Sequence, residues 1–458
     1  MRATGISPVG RVESPVKNVS RHLSLRSRFI GAVLLLGIAG LTCTQSISSS
    51  PSTLTLPEAL AMAKKNNGTV RAAYLDLEAA RAGARGAYAA FLPSITPSYL
   101  RTVTQNGGND NPFGNELQHT QGALLTLDFN VFDSGRRRIQ YRQVSLQATT
   151  QESVALQAFR TVLFDVHSKY YAALQSQELL KVQEAQLKRA EQILDQTKVR
   201  VELKDAARKD ILQAQADALN ARASYLQTKN QVATTMNDLK AVIGWEGADS
   251  PVLQSVTEAQ KPDFARLDTK QVVEQGLNLR YDLAAARANI RVQDEAVSLA
   301  KLNAGPQLST DIQFHKSLGD NFTDSAQLKL SVTGPLYDGG ASREAVRQAQ
   351  FNRNSTEARY LQEYRVAKAE IESTLYEVEQ DITRYEVAQA ALDAAKVNFE
   401  AASEAQKLGA ATLIDVLTAQ VSLVTAEQNS VQALYDLLTV QVKLKLVTGQ
   451  ALPGETGP

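Results

Sequence analysis

The feature that most constrains this chain is that its sequence is written twice. The stretch "NVFDSGRRR" at 130–138 returns as "GPLYDGGAS" at 334–342, each holding an aromatic-Asp-x-Gly junction. Asp133 and Asp338 stand 205 positions apart (338 minus 133). Without a gap, the same offset pairs Gly135 with Gly340, Arg138 with Arg343, Tyr171 with Tyr376, Asp210 with Asp415 and Gly244 with Gly449. Upstream of the junction the offset is 213 (306 minus 93), setting Pro93 on Pro306. The eight extra positions (213 minus 205) fall in "QNGGNDNPFGNELQHT" at 105–120, against the shorter "KSLGDNFTD" at 316–324. Length that varies between flanks in register reads as a surface loop. Whatever fold one half adopts, the other must repeat.

Each half predicts the same order of elements. A helix of about 35 residues (57–91; 269–304) precedes a Pro-marked break and a strand (95–104; 307–315). After the loop come a second strand (122–132; 326–336) and the junction. A very long helix (135–203; 340–408) then runs to a break at "ELKDAAR" or "KLGAAT", and a last helix (207–244; 412–448) closes the half. Ala, Gln, Leu and Glu fill these tracts, and all suit helices. A helix of about 69 residues reaches ~100 Å, so two shorter ones stacked end to end would match its length. The expected organisation is 1–50 as signal and polar segment, 51–244 as first repeat and 245–268 as linker. The second repeat then spans 269–449 and a tail 450–458.

The strands alternate. Ala123, Leu125, Leu127, Phe129 and Val131 oppose Thr126, Asp128 and Asn130, while Leu328, Leu330 and Val332 oppose Lys329, Ser331 and Thr333. Likewise Leu308, Ile312 and Phe314 oppose Ser309, Asp311 and Gln313, whereas the first strand fits least, since Arg101 falls among its apolar positions. Spans of about 9–11 residues with one apolar face suit a barrel with lipid outside and water inside. Four strands per chain cannot close a barrel, and an open sheet edge is not tolerated in lipid. Three chains would give twelve strands around a lumen, whereas two would give a blocked interior. The expected fold is therefore mainly α with a small β part. Long antiparallel helices are duplicated in tandem, and four strands per chain contribute to a trimeric transmembrane β-barrel.

Other classes find little support. Net charge is +1, which gives no global field for nucleic acid. Cys43 is the single cysteine, and His22, His119, His167 and His315 lack ligand spacing, so neither metal nor cofactor is expected. No phosphate-binding glycine loop or nucleophile elbow occurs, and the chain is not read as an enzyme. Arg21, Arg26 and Arg28 before "FIGAVLLLGIAGLTC" at 29–43 read as a cleaved export signal, the apolar run being too short to span a bilayer. Cys43 stands where a lipidated cysteine would, although the preceding "GLT" matches that pattern poorly.

In this order, and twice over, the motifs resemble the TolC-type outer-membrane efflux channels, over nearly all the chain after the signal. The resemblance rests on "LTLPEALAMAKKNNGTVRAA" (54–73), "RYDLAAARANI" (280–290), "GPLYDGG", "KLGAATLIDVLTAQVSLVTAEQ" (407–428) and "LKLVTG" (444–449). It implies a homotrimer with a β-barrel in the outer membrane of a Gram-negative-type bacterium and an α-helical barrel across the periplasm. Such a passive exit duct serves tripartite efflux or type I secretion of drugs, small molecules or proteins. It is recruited by a periplasmic adaptor and an inner-membrane pump of RND, ABC or MFS type. Its periplasmic end opens by an iris-like movement. At the junctions, Phe132, Asp133, Gly135, Pro335, Tyr337, Asp338 and Gly340 are read as structural, with the Asp residues capping new helices and the aromatics at the lipid interface. The resemblance assigns adaptor contact to the tips, at Leu203, Lys204, Leu408, Gly409 and Thr412, and a pore constriction to Asp210, Asp415 and Thr418. Thr412 and Asp415 also form a T-x-x-D helix start. Three departures mark this chain. Lys204 stands where the family has glycine, Thr418 replaces an acidic residue, and Gln406 and Ala411 replace the Tyr and Arg that brace the closed state. The alternative is a periplasmic coiled-coil adaptor or scaffold, anchored through Cys43, which leaves the duplicated strands unexplained.

Overall fold

The computed structural model describes residues 53–108, 111–247, 250–255, 269–317 and 323–455, so the signal segment and Cys43 lie outside the described residues. In chain order the elements are β1 (Thr53–Leu54), α1 (Leu56–Asn66), α2 (Gly68–Tyr88), β2 (Ser94–Gly108), β3 (Asn111–Phe132), α3 (Arg136–Glu202) and α4 (Arg208–Ile243). They continue with β4 (Val252–Leu253), α5 (Thr269–Leu279), α6 (Tyr281–Asn303), β5 (Gln307–Ser317), β6 (Ser325–Thr333), α7 (Ala341–Lys407) and α8 (Leu413–Val447). The long helices α3 and α7 have 67 residues each, roughly 100 Å of rod at 1.5 Å per residue.

Beside each rod lie shorter helices stacked end to end. Arg81 of α2 reaches Glu152 of α3 at 3.1 Å, and lower down Lys169 of α3 reaches Asp238 of α4 at 3.0 Å. The end of α4 meets the start of α2 at Asn67, which corrects the single helix expected over 57–91. Asn67 leaves helical geometry at φ −68° and ψ 124°, and its side-chain oxygen caps α2 by accepting from the Thr69 and Val70 N–H groups. Its Nδ2 donates to the Val242 carbonyl at 2.8 Å. The helix expected over 269–304 breaks in the same way at Arg280, which stands 213 positions later (280 minus 67) and donates from Nη1 to the Val447 carbonyl at 3.2 Å. A polar side chain at each break serves the end of a neighbouring helix and takes its own backbone out of the helix.

Both joints close on a left-handed glycine. Gly244 has φ 65° and Gly449 φ 67°, and a Cβ on either would lie 2.7 Å from Asn66 or Leu279 atoms. No other residue fits at that approach. The largest apolar core surrounds the first joint, where Leu60, Leu163, Val166, Tyr170, Leu174, Leu239, Ile243 and Leu438 are buried together. The Tyr170 hydroxyl donates to the carbonyls of Leu54 and Gln254, tying in the parallel β1–β4 pair. Leu452 of the tail is buried in the same core, the buried Arg160 reaches the Gln450 carbonyl and Glu455, and buried His167 meets the Pro453 carbonyl at 3.1 Å.

The remaining strands form one antiparallel sheet in the order β2-β3-β5-β6. Its register aligns Ile95, Leu127, Phe314 and Ala326 in one row, and Ser94, Asp128, Gln313 and Gln327 in the next. The apolar and polar sets thus keep to opposite faces, as alternation requires. Arg101 falls in register with the apolar set. A bulge between Asn130 and Phe132 leaves Val131 without a ladder partner and sets Phe132 opposite Thr310. Two expectations need correction. The described residues of the segment expected as a loop, 105–108 and 111–120, are strand instead, because their backbone continues the β2–β3 ladder through Asn106 opposite Glu116 to Gly108 opposite Asn111. The last strand ends at Thr333, short of 336, where Gly334 packs against Pro306 and Pro335 has no N–H for a ladder. No helix among the described residues is long and apolar enough to cross a membrane.

Candidate functional site: the junctions and the helix tips

Where the sheet passes into the rods, the two halves solve one problem with the same atoms. The chain turns through two consecutive left-handed residues, Ser134 (φ 57°) and Gly135 (φ 90°) in the first half, Gly339 (φ 66°) and Gly340 (φ 92°) in the second. Asp133 then accepts from the N–H of Gly135 (3.1 Å) and Arg137 (2.8 Å), and Asp338 from Gly340 (3.0 Å) and Ser342 (2.8 Å). These bonds satisfy N–H groups that a helix start leaves free. The Arg137 guanidinium pairs with Asp133 and donates to the Ala90 and Asn130 carbonyls. Phe132 is half-exposed, Tyr337 is 92% exposed, and the Pro335–Leu336 segment projects freely beside it.

At the other end the tips also match. Lys204 adopts the left-handed conformation at φ 64°, and Gly409 does so at φ 74°. The Asp205 N–H donates to the Arg200 carbonyl and the Ala410 N–H to the Ala405 carbonyl, both at 2.8 Å, so each rod ends in the same wrapped C-cap. Leu203 and Leu408 stand 74% and 84% exposed at these turns. The starts of the returning helices differ. Thr412 and Asp415 form a reciprocal cap, with Asp415 Oδ2 accepting from the Thr412 N–H at 2.8 Å and Thr412 Oγ1 from the Asp415 N–H at 3.3 Å. The first half keeps one side only. Asp210 accepts from the Ala207 N–H at 3.2 Å, and Ala207 has no side-chain acceptor to return the bond. The Thr412 hydroxyl and backbone hold the exposed Asp415 carboxyl below its ordinary value. Thr418 is exposed and donates to the Ile414 carbonyl.

Behind the tips, a seam between the two helix pairs holds residues to which the sequence assigned no role. Arg189 of α3 pairs with Glu427 of α8 at 2.9 Å, and the buried Gln420 of α8 donates to Asp217 of α4 at 3.4 Å. Burial pushes the Asp217 carboxyl above its ordinary value, against the pull of the Gln420 amide. Ile193, Val416 and Leu417 form an apolar cluster beside them. Gln406 and Lys407 line a groove of about 560 Å³ together with Arg200 and Asp205. Charged residues are common along these helices, and of the seam residues only Gln420 recurs between the halves, as Gln215, so the repeat gave no signal for the pairs. Among the described residues no group of three metal-binding side chains converges.

A duplicated frame of ~100 Å helices, continued by a half-apolar sheet whose two edges are unpaired among the described residues, defines a class of elongated membrane-associated wall proteins. The comparisons give the family: the outer membrane efflux protein model matches residues 59–245 and 272–450, and the chain belongs to that family. Among its relatives, TolC of Escherichia coli strain K12 is 24% identical over 361 residues, 75% of this chain and 71% of that protein. The outer membrane efflux protein BepC of Brucella suis is 23% identical across 93% of this chain and 91% of its own length. The outer membrane protein VceC of Vibrio cholerae shares the fold at a TM-score of 0.75, with 17% identity over 87% of this chain and 97% of VceC. The chain is thus an outer-membrane protein of a channel family, and nothing in its geometry favours the adaptor reading.

Proposed function

We propose that three copies of this chain form an outer-membrane exit duct, which passively conducts drugs, small molecules or proteins delivered by an inner-membrane pump through a periplasmic adaptor. The observation that carries this reading is the coincidence of open edges. The sheet order β2-β3-β5-β6 leaves β2 and β6 unpaired on their outer sides. The helices follow in the same order, α2, α3, α6, α7 near the sheet and α4, α3, α8, α7 beyond it, so α2 with α4 bounds one side and α7 the other. Large apolar side chains stand exposed on these bounding helices, Tyr74, Leu212 and Leu219 on one side and Phe351, Val387 and Val397 on the other. Two complementary edges on one subunit build a ring when copies repeat head to tail. Three copies bring the strands to twelve, enough for a water-filled lumen.

In this reading the tips meet the adaptor through Leu203, Lys204, Leu408, Gly409 and Thr412, and Asp210, Asp415 and Thr418 stand nearest the constriction. The seam held by Arg189–Glu427 and Gln420–Asp217 would separate as the tips open. Membrane-extracted protein examined by native mass spectrometry and in planar bilayers tests the proposal. A mass of three chains together with ion conductance is expected. A folded, water-soluble single chain without conductance would overturn it.

A further inference from the structure

The strand-to-helix junctions hold one arginine per half that nothing in the protein explains. Arg138 and Arg343 lie three positions beyond Gly135 and Gly340 and correspond to each other in the duplication. Both are exposed, and among the described residues neither makes a hydrogen bond or an ion pair. The neighbouring arginines are all engaged: Arg136 donates to Gln307, Arg137 holds Asp133, Arg142 pairs with Glu295 and Arg347 with Glu344. A cation in the first turn also opposes the helix dipole, so neither residue is there for the sake of its helix. The free N–H groups of those turns already bond to Asp133 and Asp338. What remains is side-chain charge.

That charge follows the end of the sheet by few positions, six beyond Phe132 in one half and six beyond Tyr337 in the other (138 minus 132; 343 minus 337). Phe132 and Tyr337 expose their rings one residue before each capping aspartate, at 47% and 92%. Aromatic rings of this kind settle at the level of lipid headgroups. Each arginine lies only ~4.5 Å along the helix axis from the glycine at the helix start, within the reach of a side chain that lays its stem on apolar surface and its head in the polar layer. We propose that Arg138 and Arg343 bind the phosphates of anionic phospholipid headgroups in the periplasm-facing leaflet of the outer membrane, each with the adjoining aromatic ring. The guanidinium fork matches a phosphate in shape as well as charge. The proposal rests on the outer-membrane duct reading. It adds six lipid contacts to each three-chain ring and fixes the depth at which the rods leave the membrane.

The test compares lipid retained by the purified oligomer, by native mass spectrometry after exchange into mixed phosphatidylglycerol and phosphatidylcholine. The wild type is expected to favour phosphatidylglycerol by at least about five-fold, and the double variant Arg138→Gln/Arg343→Gln to fall below about two-fold. The double Arg→Lys variant keeps the charge without the fork and should lie between the two, and added salt should lower all three preferences. Conductance is measured in parallel. If wild-type oligomers with normal conductance lose no preference on substitution, the lipid proposal fails. It fails equally if the double variant changes the pore's ion selectivity and leaves lipid preference intact, because the arginines then face the lumen. Absence of conducting oligomers in the wild type would instead overturn the duct reading.

Discussion

Among the described residues Lys204 and Ser134 are the two non-glycine residues in the left-handed region. A side chain in the left-handed region costs roughly 1–2 kcal/mol, a penalty that Gly409 avoids at the equivalent turn. Lys204→Gly should therefore raise the thermal stability of the assembled protein by about 1 kcal/mol, read as an upward shift of its melting temperature. Gly409→Val should lower it by at least as much and weaken adaptor binding in a pull-down, with membrane insertion unchanged. Glycines elsewhere divide by cause. Gly135→Ala meets only the conformational penalty of about 1 kcal/mol, since open space surrounds it. Gly449→Ala adds overlap with the Leu279 backbone, for a total of about 2–4 kcal/mol, so the order of the two melting shifts checks the account. The repeat revealed these glycines in the sequence, but it could not tell which were held by φ and which by space. That difference depends on what the other half of the joint places opposite them.

At the scale of elements, rods, returning helices and strand faces were legible, because 3.6- and 2-residue periodicities are local. The joints at Asn67 and Arg280 were not. Helical periodicity resumes beyond each and masked the break signal "NNG" at 66–68, and the partners that draw the two residues out of the helix lie 175 and 167 residues away. The strand pairing of 105–108 with 111–120 was hidden for another reason: length that varies between flanks in register reads as loop, whereas a β-ladder also lengthens without disturbing its flanks. The tail's attachment was equally silent, and it makes a pH prediction. Burial holds the His167 imidazole below its ordinary value of 6.5, Lys445 acts in the same direction, and only the Pro453 carbonyl opposes them. A depressed value means that the unfolded chain binds the proton first, so this contribution is complete above pH 6.5 and is lost as pH falls through the folded-state value. Protonation would also place an N–H on Nδ1, which is buried without a partner among the described residues. The melting temperature should fall on acidification below pH 6.5, and His167→Gln should flatten that slope.

For the whole molecule, the duplication made the architecture legible before any coordinate, because one solution had to serve twice. The seam's contacts were not legible, since Arg189 and Asp217 meet Glu427 and Gln420 in three dimensions only, and at the tips Gln406, Ala411 and Thr418 depart from the familiar pattern. If Asp415 from three chains converges on the constriction, Asp415→Asn should weaken block of the conductance by added divalent cations. Unchanged block would place the narrowest point elsewhere. The two glycine joints carry a last consequence. Each rod runs unbroken past a level where its companion is interrupted, so the wall is a continuous spine beside a segmented one. In the proposed duct, swinging the lower segments would leave the upper ones in register with the sheet, so that the mouth changes diameter while the membrane end keeps its seal.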